Sequence, residues 1–162
     1  MKPRRRISPP GTYFINFSTS QRRRLFVVDN YAKLFLQTIY RYRRQGYFQI
    51  HAFVVMPEHA HLLLTPASTV TLEHAVQLIK GGYSHALGSI IGRTREVWER
   101  GFTDHRIRDA KDYENHRTYI NENPVKRGLV TNPPDYRYSS AFPEFKLDPW
   151  PTAAKAQISK SA

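Results

Sequence analysis

The chain has 162 residues, 40% of them hydrophobic, which suits one folded domain and argues against wholesale disorder. It contains no cysteine, so disulfides, thiolate metal sites and cysteine nucleophiles are excluded. Lys+Arg 25 against Asp+Glu 13 leaves a formal net charge of +12, which points to a polyanionic partner because each cation set against a phosphate releases counterions.

In chain order, residues 1–10 read as a disordered basic arm, with Arg4, Arg5 and Arg6 followed by Ser8-Pro9-Pro10. No apolar stretch of signal-peptide length follows it, and no apolar run approaches the ~20 residues of a membrane helix. The sequence therefore reads as a cytoplasmic protein without a membrane partner. Thr12 to Ser18 is aromatic and β-branched and predicts a strand. Arg22, Arg23 and Arg24 fall in the loop after it. A helix is expected from Asp29, capped by Asp29 or Asn30, with Tyr31, Leu34, Phe35, Ile39 and Tyr42 on its apolar face and Gly46 ending it. Gln49 to Met56 and His59 to Thr65 predict two strands. The Pro57-Glu58 turn between them is short enough to require an antiparallel hairpin.

A second helix is expected over Leu72–Ile91, with Leu72, Val76, Ile79, Tyr83, Leu87 and Ile90 inward and Gly81-Gly82 as its weak point. A fourth strand is expected around Asp104–Arg108. A third helix starts near Asp109–Asp112 and is expected to end by Asn123, because Pro124 disfavours helical geometry in the residue before it. The order matches an α+β, ferredoxin-like split βαβ arrangement: an antiparallel sheet, two helices on one face, and an added C-terminal helix. The domain is expected over residues 11–142, with a flexible tail over 143–162.

Two local patterns carry chemistry. His59 and His61 lie two apart on a strand, so both imidazoles face the same side and are able to share one metal ion. By spacing alone, the pair equally suits an exposed polar sheet face. Tyr119 and Asn123 form an i, i+4 pair on the last helix, which aims a hydroxyl and an amide oxygen at one region. By spacing alone, a core aromatic is the favoured reading of Tyr119. Tyr113 is a rival nucleophile, but helical phase turns it away from Asn123. His51, His74, His85, His105 and His116 show no comparable constellation, although His116, three residues before Tyr119, is positioned to flank it.

Taken together, the blocks are more specific. The segment from Val54 to Leu63 (VVMPEHAHLL) resembles the HUH region of single-tyrosine transposases, in which two histidines flank a hydrophobic residue. Lys80-Gly81-Gly82-Tyr83-Ser84, Trp98-Glu99-Arg100-Gly101-Phe102, the run from Tyr119 to Val130 and Tyr136-Arg137-Tyr138-Ser139-Ser140 resemble the same family in the same order. The resemblance covers about residues 11–142 and is greatest to the REP-associated tyrosine transposases.

It implies that His59, His61 and Asn123 hold a divalent metal, Mg²⁺ or Mn²⁺, and that Tyr119 is the nucleophile. The implied reaction nicks and rejoins single-stranded, hairpin-forming DNA through a 5′-phosphotyrosine, by a monomer or homodimer. Ala60 departs from the pattern, being smaller than the residue usual between the histidines, and is expected to loosen packing beneath the site. Arg4–Arg6, Arg22–Arg24, Arg106 and Arg108 are candidate DNA contacts. Two other readings stay open: a regulatory protein that grips DNA hairpins without cutting, and a phosphodiesterase that uses water.

Overall fold

The computed structural model describes residues 7–92 and 95–151. Four strands, β1 (Tyr13–Ser18), β2 (Phe48–Val55), β3 (His59–Pro66) and β4 (Thr103–Arg106), form one sheet in the order β2-β3-β1-β4. All three pairings are antiparallel. Helices α1 (Asp29–Arg44) and α2 (Leu72–Ile91) connect the strands as in the split βαβ pattern, and α3 (Ala110–Lys126) follows β4. The expected fold is thus the one found. No helix among the described residues is long and apolar enough to cross a membrane.

Strand alternation divides the interior in two. Tyr13, Ile15 and Phe17 of β1, with Ala60, Leu62 and Leu64 of β3, face α1 and α2 and form the larger core with Phe35, Ile39, Val76, Ile79 and Tyr83. Phe14 and Leu63 point the other way, where Ala52, Val54, Met56, Ile107, Tyr113 and Ile120 make a second cluster beneath α3. Ala60 is fully buried and sits opposite Phe17. The Phe17 ring packs edge-on against Phe35 and Trp98, so a neighbouring strand supplies the bulk that Ala60 lacks.

Four expectations need correction. Residue 28, not 29 or 30, precedes the first turn of α1, without a side-chain cap. The Asp29 carboxylate instead accepts a bond from the Tyr138 hydroxyl and pairs with Lys33. Ile90 is 60% exposed, because the inward face of α2 runs out at Leu87. Helix α3 passes through Pro124 to Lys126. Proline removes the N–H that would bond the carbonyl of residue 120, but its buried ring packs, so the local preference yields to tertiary context.

The fourth correction concerns the ends. Trp150 is buried, stacks on Tyr113 at 4.7 Å and donates its indole N–H to Thr12 Oγ1 at 2.9 Å. Asp148 accepts two bonds from Arg43 (2.8 and 2.7 Å) and one from the Ile50 N–H. Val55 N–H donates to Tyr138 and Ser140 N–H to Phe53, so residues 138–148 line the outer edge of β2. An edge strand needs such cover for its unpaired backbone groups. At the other end Ser8 bonds Glu73, and Tyr13 and Arg106 donate to the carbonyls of Pro9 and Pro10. Arg4, Arg5, Arg6 and residues 152–162 lie outside the described residues.

Candidate active site

The site begins where β3 begins. Met56 N–H bonds the His59 carbonyl at 2.8 Å across the Pro57-Glu58 turn, which sets the register of the strand. His59 and His61 both face α3, opposite Ser18 and Asn16 of β1. Their Nε2 atoms are 3.1 Å apart. That matches the separation, about 3.0 Å, of two adjacent ligands held ~2.1 Å from one octahedral ion. His59 Nδ1 lies 3.0 Å from Glu58 Oε1. A carboxylate there fixes the tautomer with the proton on Nδ1, leaving the Nε2 lone pair free.

Burial acts on both rings. It holds His59 below the usual histidine range even though the Glu58 charge opposes it. Burial, with His59 beside it, pushes His61 down to about 3. Both are therefore neutral at physiological pH, the form that ligates metal. Burial would raise the Glu58 carboxyl, but bonds from His59 and Arg127 outweigh it and hold Glu58 below its ordinary value.

Helix α3 lies over this face. The Tyr119 ring meets His61 edge-on at 5.5 Å between centroids and Phe14 at 5.9 Å. Phe14 stacks on the other side of His61 at 5.3 Å. Tyr119 is 41% exposed, so it is no core aromatic, and Lys126 Nζ lies 5.5 Å from its ring centroid. Tyr113 is buried against Trp150 and His51, which removes it as a nucleophile. Asn123 is buried, and its Oδ1 has no hydrogen-bond partner; the same holds for Asn16 Oδ1 and His61 Nδ1. Buried polar atoms without partners are rare and call for a ligand or water. Two neutral imidazoles, with the Asn16 amide opposite His61 on the neighbouring strand, suit Mn²⁺ or Mg²⁺ with positions left for phosphate.

The arginines divide by place. Arg22 sits in left-handed backbone (φ 50°), next to Gln21 (φ 55°), and reaches Glu58 at 3.3 Å. Non-glycine residues adopt that region at a cost and persist there when tertiary contacts demand it. Arg23 donates to the carbonyls of Ser20 and Glu96, whereas Arg24 is exposed beside it. Arg106 pairs with Tyr13 at the opposite end of β1 from the histidines. Arg108 lies 3.5 Å from Asp112. These last two are thus separate from the first three.

Sequence reasoning missed three groups. Asn16 was legible in principle, since alternation along β1 puts it with Phe14 on the α3 face. Glu58 neighbours His59, but its bridge to Arg127 at 3.1 Å joins residues 69 apart in the chain. Asp112 and His116 are an i, i+4 pair that helical spacing signals, but the approach of His105 from β4 to the same carboxylate has no local signal.

These features define a class: an antiparallel α+β domain presenting a histidine pair to a tyrosine on a covering helix. Over residues 11–123 the chain matches the family described as transposase, IS200-like. It is 34% identical to an Escherichia coli (strain K12) REP-associated tyrosine transposase over 131 residues, 80% of this chain and 76% of that protein. A solved REP-associated tyrosine transposase, bound to a REP hairpin, superposes with a TM-score of 0.72 and 32% identity, covering 86% of this chain and 82% of the other. The chain belongs to the IS200-like transposases, in the branch of the REP-associated tyrosine transposases.

Proposed function

We propose that this transposase nicks and rejoins single-stranded DNA that folds into hairpins, with Tyr119 as nucleophile and His59, His61 and Asn123 holding a divalent ion. One observation carries the reading: two neutral imidazoles with Nε2 atoms 3.1 Å apart, and the Tyr119 ring 5.5 Å from one of them. When bound, Mg²⁺ or Mn²⁺ neutralises the phosphodiester charge that repels a nucleophile and polarises the phosphoryl oxygens. The hairpin as target follows the solved relative, which is bound to one.

The chain's own residues do the rest. Glu58 orients His59 and keeps its proton on the far nitrogen. Phe14 and the Tyr119 ring wall in His61 and keep it dry and neutral. Lys126 sets a positive charge beside the tyrosine, where the incoming phosphate must lie. As the Tyr119 oxygen loses its proton, it bonds to phosphorus. The phosphorus–O3′ bond breaks, and the leaving oxygen takes up a proton as a free 3′-hydroxyl. The 5′-phosphotyrosine conserves the ester, so reversal by a 3′-hydroxyl reseals a strand without ATP.

The test is to incubate wild type and Tyr119→Phe with labelled hairpin-bearing single strands and Mn²⁺. A covalent adduct with wild type only is the expected result. Binding without any cleavage would instead identify a gripping regulator, and cleavage by both proteins a water-using phosphodiesterase. His59→Ala or His61→Ala should abolish cleavage and leave most DNA affinity, because phosphate contacts dominate affinity.

A further inference from the structure

A second set of metal-ligating side chains stands apart from the first. His105 lies on β4, and Asp112 and His116 lie one turn apart on α3. His105 Nε2 is 2.8 Å from Asp112 Oδ2, and His116 Nδ1 is 3.1 Å from Asp112 Oδ1. One donor atom from each residue falls within 4.8 Å of the others. The two imidazoles stack at 4.6 Å with planes 18° apart, so both turn an edge toward the same carboxylate.

Hydrogen bonding alone gives Asp112 part of its role. It accepts from the Arg108 backbone N–H at 2.9 Å and so ties the start of the helix. Yet Asp112 keeps only 8% of its side chain exposed, while the imidazoles keep 37% and 24%. An anion is thus sunk beneath two rings that open to solvent. Its one cationic side-chain contact among the described residues, Arg108 at 3.5 Å, is 77% exposed. Two imidazoles and a carboxylate from two different elements make a preformed three-donor set with room for water beyond it.

We propose that His105, Asp112 and His116 form a second divalent-metal site, independent of His59 and His61 and selective for zinc-class ions. Two imidazole nitrogens and one carboxylate favour Zn²⁺, Co²⁺ or Ni²⁺ over Mg²⁺. An ion there staples β4 to the first two turns of the helix that carries Tyr119. The staple reaches the other site by packing: His116 lies 4.8 Å from Phe14, which contacts both His61 and Tyr119. Binding gives up the bond between His116 Nδ1 and the Asp112 carbonyl, at 2.8 Å, and the carboxylate's hydrogen bonds to the rings.

The experiment titrates the full chain with Co²⁺, read by visible absorption, and with Zn²⁺ by competition. Wild type is compared with His105→Gln, His116→Gln and the His59→Gln/His61→Gln double variant, each checked for fold by circular dichroism. Asp112 is left intact because it ties the helix start. Wild type should take up one equivalent more than either single variant, or bind that equivalent at least tenfold more tightly. The double variant should retain it. Zn²⁺ should raise the Tm of the double variant, and should raise that of wild type by more than that of either single variant. Equal stoichiometry, affinity and Tm shift in wild type and both single variants would overturn the proposal, as would loss of the equivalent only in the double variant. Because the count is a difference, failure of the first site to bind metal leaves it readable.

Discussion

Replacing Glu58 tests whether the turn before β3 tunes the histidine pair or merely reverses the chain. Its carboxylate is 9% exposed and serves three donors at once: His59 Nδ1 at 3.0 Å, Arg127 at 3.1 Å and Arg22 at 3.3 Å. The arginines are 49% and 61% exposed, so losing them as partners should cost little stability. The His59 bond is buried, so its loss should be felt. In Glu58→Gln the amide oxygen still accepts from Nδ1–H, but the negative charge that favours that tautomer is gone. Outer partners of metal-bound histidines are worth about 10–100-fold in metal affinity, or about 1.4–2.7 kcal/mol. Gln should fall near the lower bound and Ala near the upper. Glu58→Ala also orphans a buried N–H, at about 1–3 kcal/mol of folding stability. Mn²⁺ affinity by calorimetry, with nicking rates at saturating and limiting Mn²⁺, separates the effects. Gln should raise Kd for Mn²⁺ and leave most of the rate recoverable at saturation. Unchanged affinity in both variants would refute the reasoning and leave Glu58 a turn residue.

The remaining expectations concern the scaffold. Trp150→Ala should cost about 3 kcal/mol, the low end for a buried aromatic, read as a fall in urea midpoint; no change would mean residues 144–150 are not part of the folded unit. Gly82→Ala should destabilise by about 1–3 kcal/mol, because its Cβ would lie 2.8 Å from Cε2 of the Tyr42 ring, whereas Gly81→Ala meets nothing within 4 Å and should gain up to about 1 kcal/mol of helix propensity. The two should therefore differ in sign by thermal melt. Burial holds the His51 pKa below its unfolded value of ~6.5. The unfolded chain thus binds more protons between those two values, so this contribution is complete above pH ~6.5 and is lost as pH falls toward the folded pKa. His51→Gln should flatten the pH dependence of stability between pH 7 and 5.

Where local rules and tertiary demands agree, the sequence was readable. Aromatic and β-branched runs over residues 12–18 and 49–65 gave β1, β2 and β3, and helical periodicity gave α1 and α2. The features that went unread come from pairings distant in the chain. Nothing local to Asp148 announces that Arg43 and Ile50 will hold it, and so residues 144–150 look like a tail. His51 looks solvated until the register shift between Ile50 and Ala52 is seen. That shift turns its ring to Thr65 Oγ1 at 2.8 Å and the Asp148 carbonyl at 2.9 Å. The histidine pair was legible as a pattern. Its companion Asn16 required the cross-strand register, and Glu58 required knowing where Arg127 ends up.

The position of the pair explains how one strand serves two masters. β3 is central, bonded on both sides by β1 and β2, so its backbone is the best held in the sheet. Ala60, Leu62 and Leu64 lock one face into the main core, while His59 and His61 occupy the other. A one-residue slip would exchange the faces and bury two imidazoles among aliphatic side chains, so the hydrophobic core itself enforces the register on which the proposed metal site depends. Tyr119 has no such constraint. It is exposed on a helix whose Tyr113 and Ile120 are buried in the second cluster, and its ring lies against Phe14 and His61 with Lys126 over it. The buried histidine pair and the exposed tyrosine thus lie on different elements, an arrangement that suits the proposed reaction, in which the tyrosine would carry a DNA strand and release it.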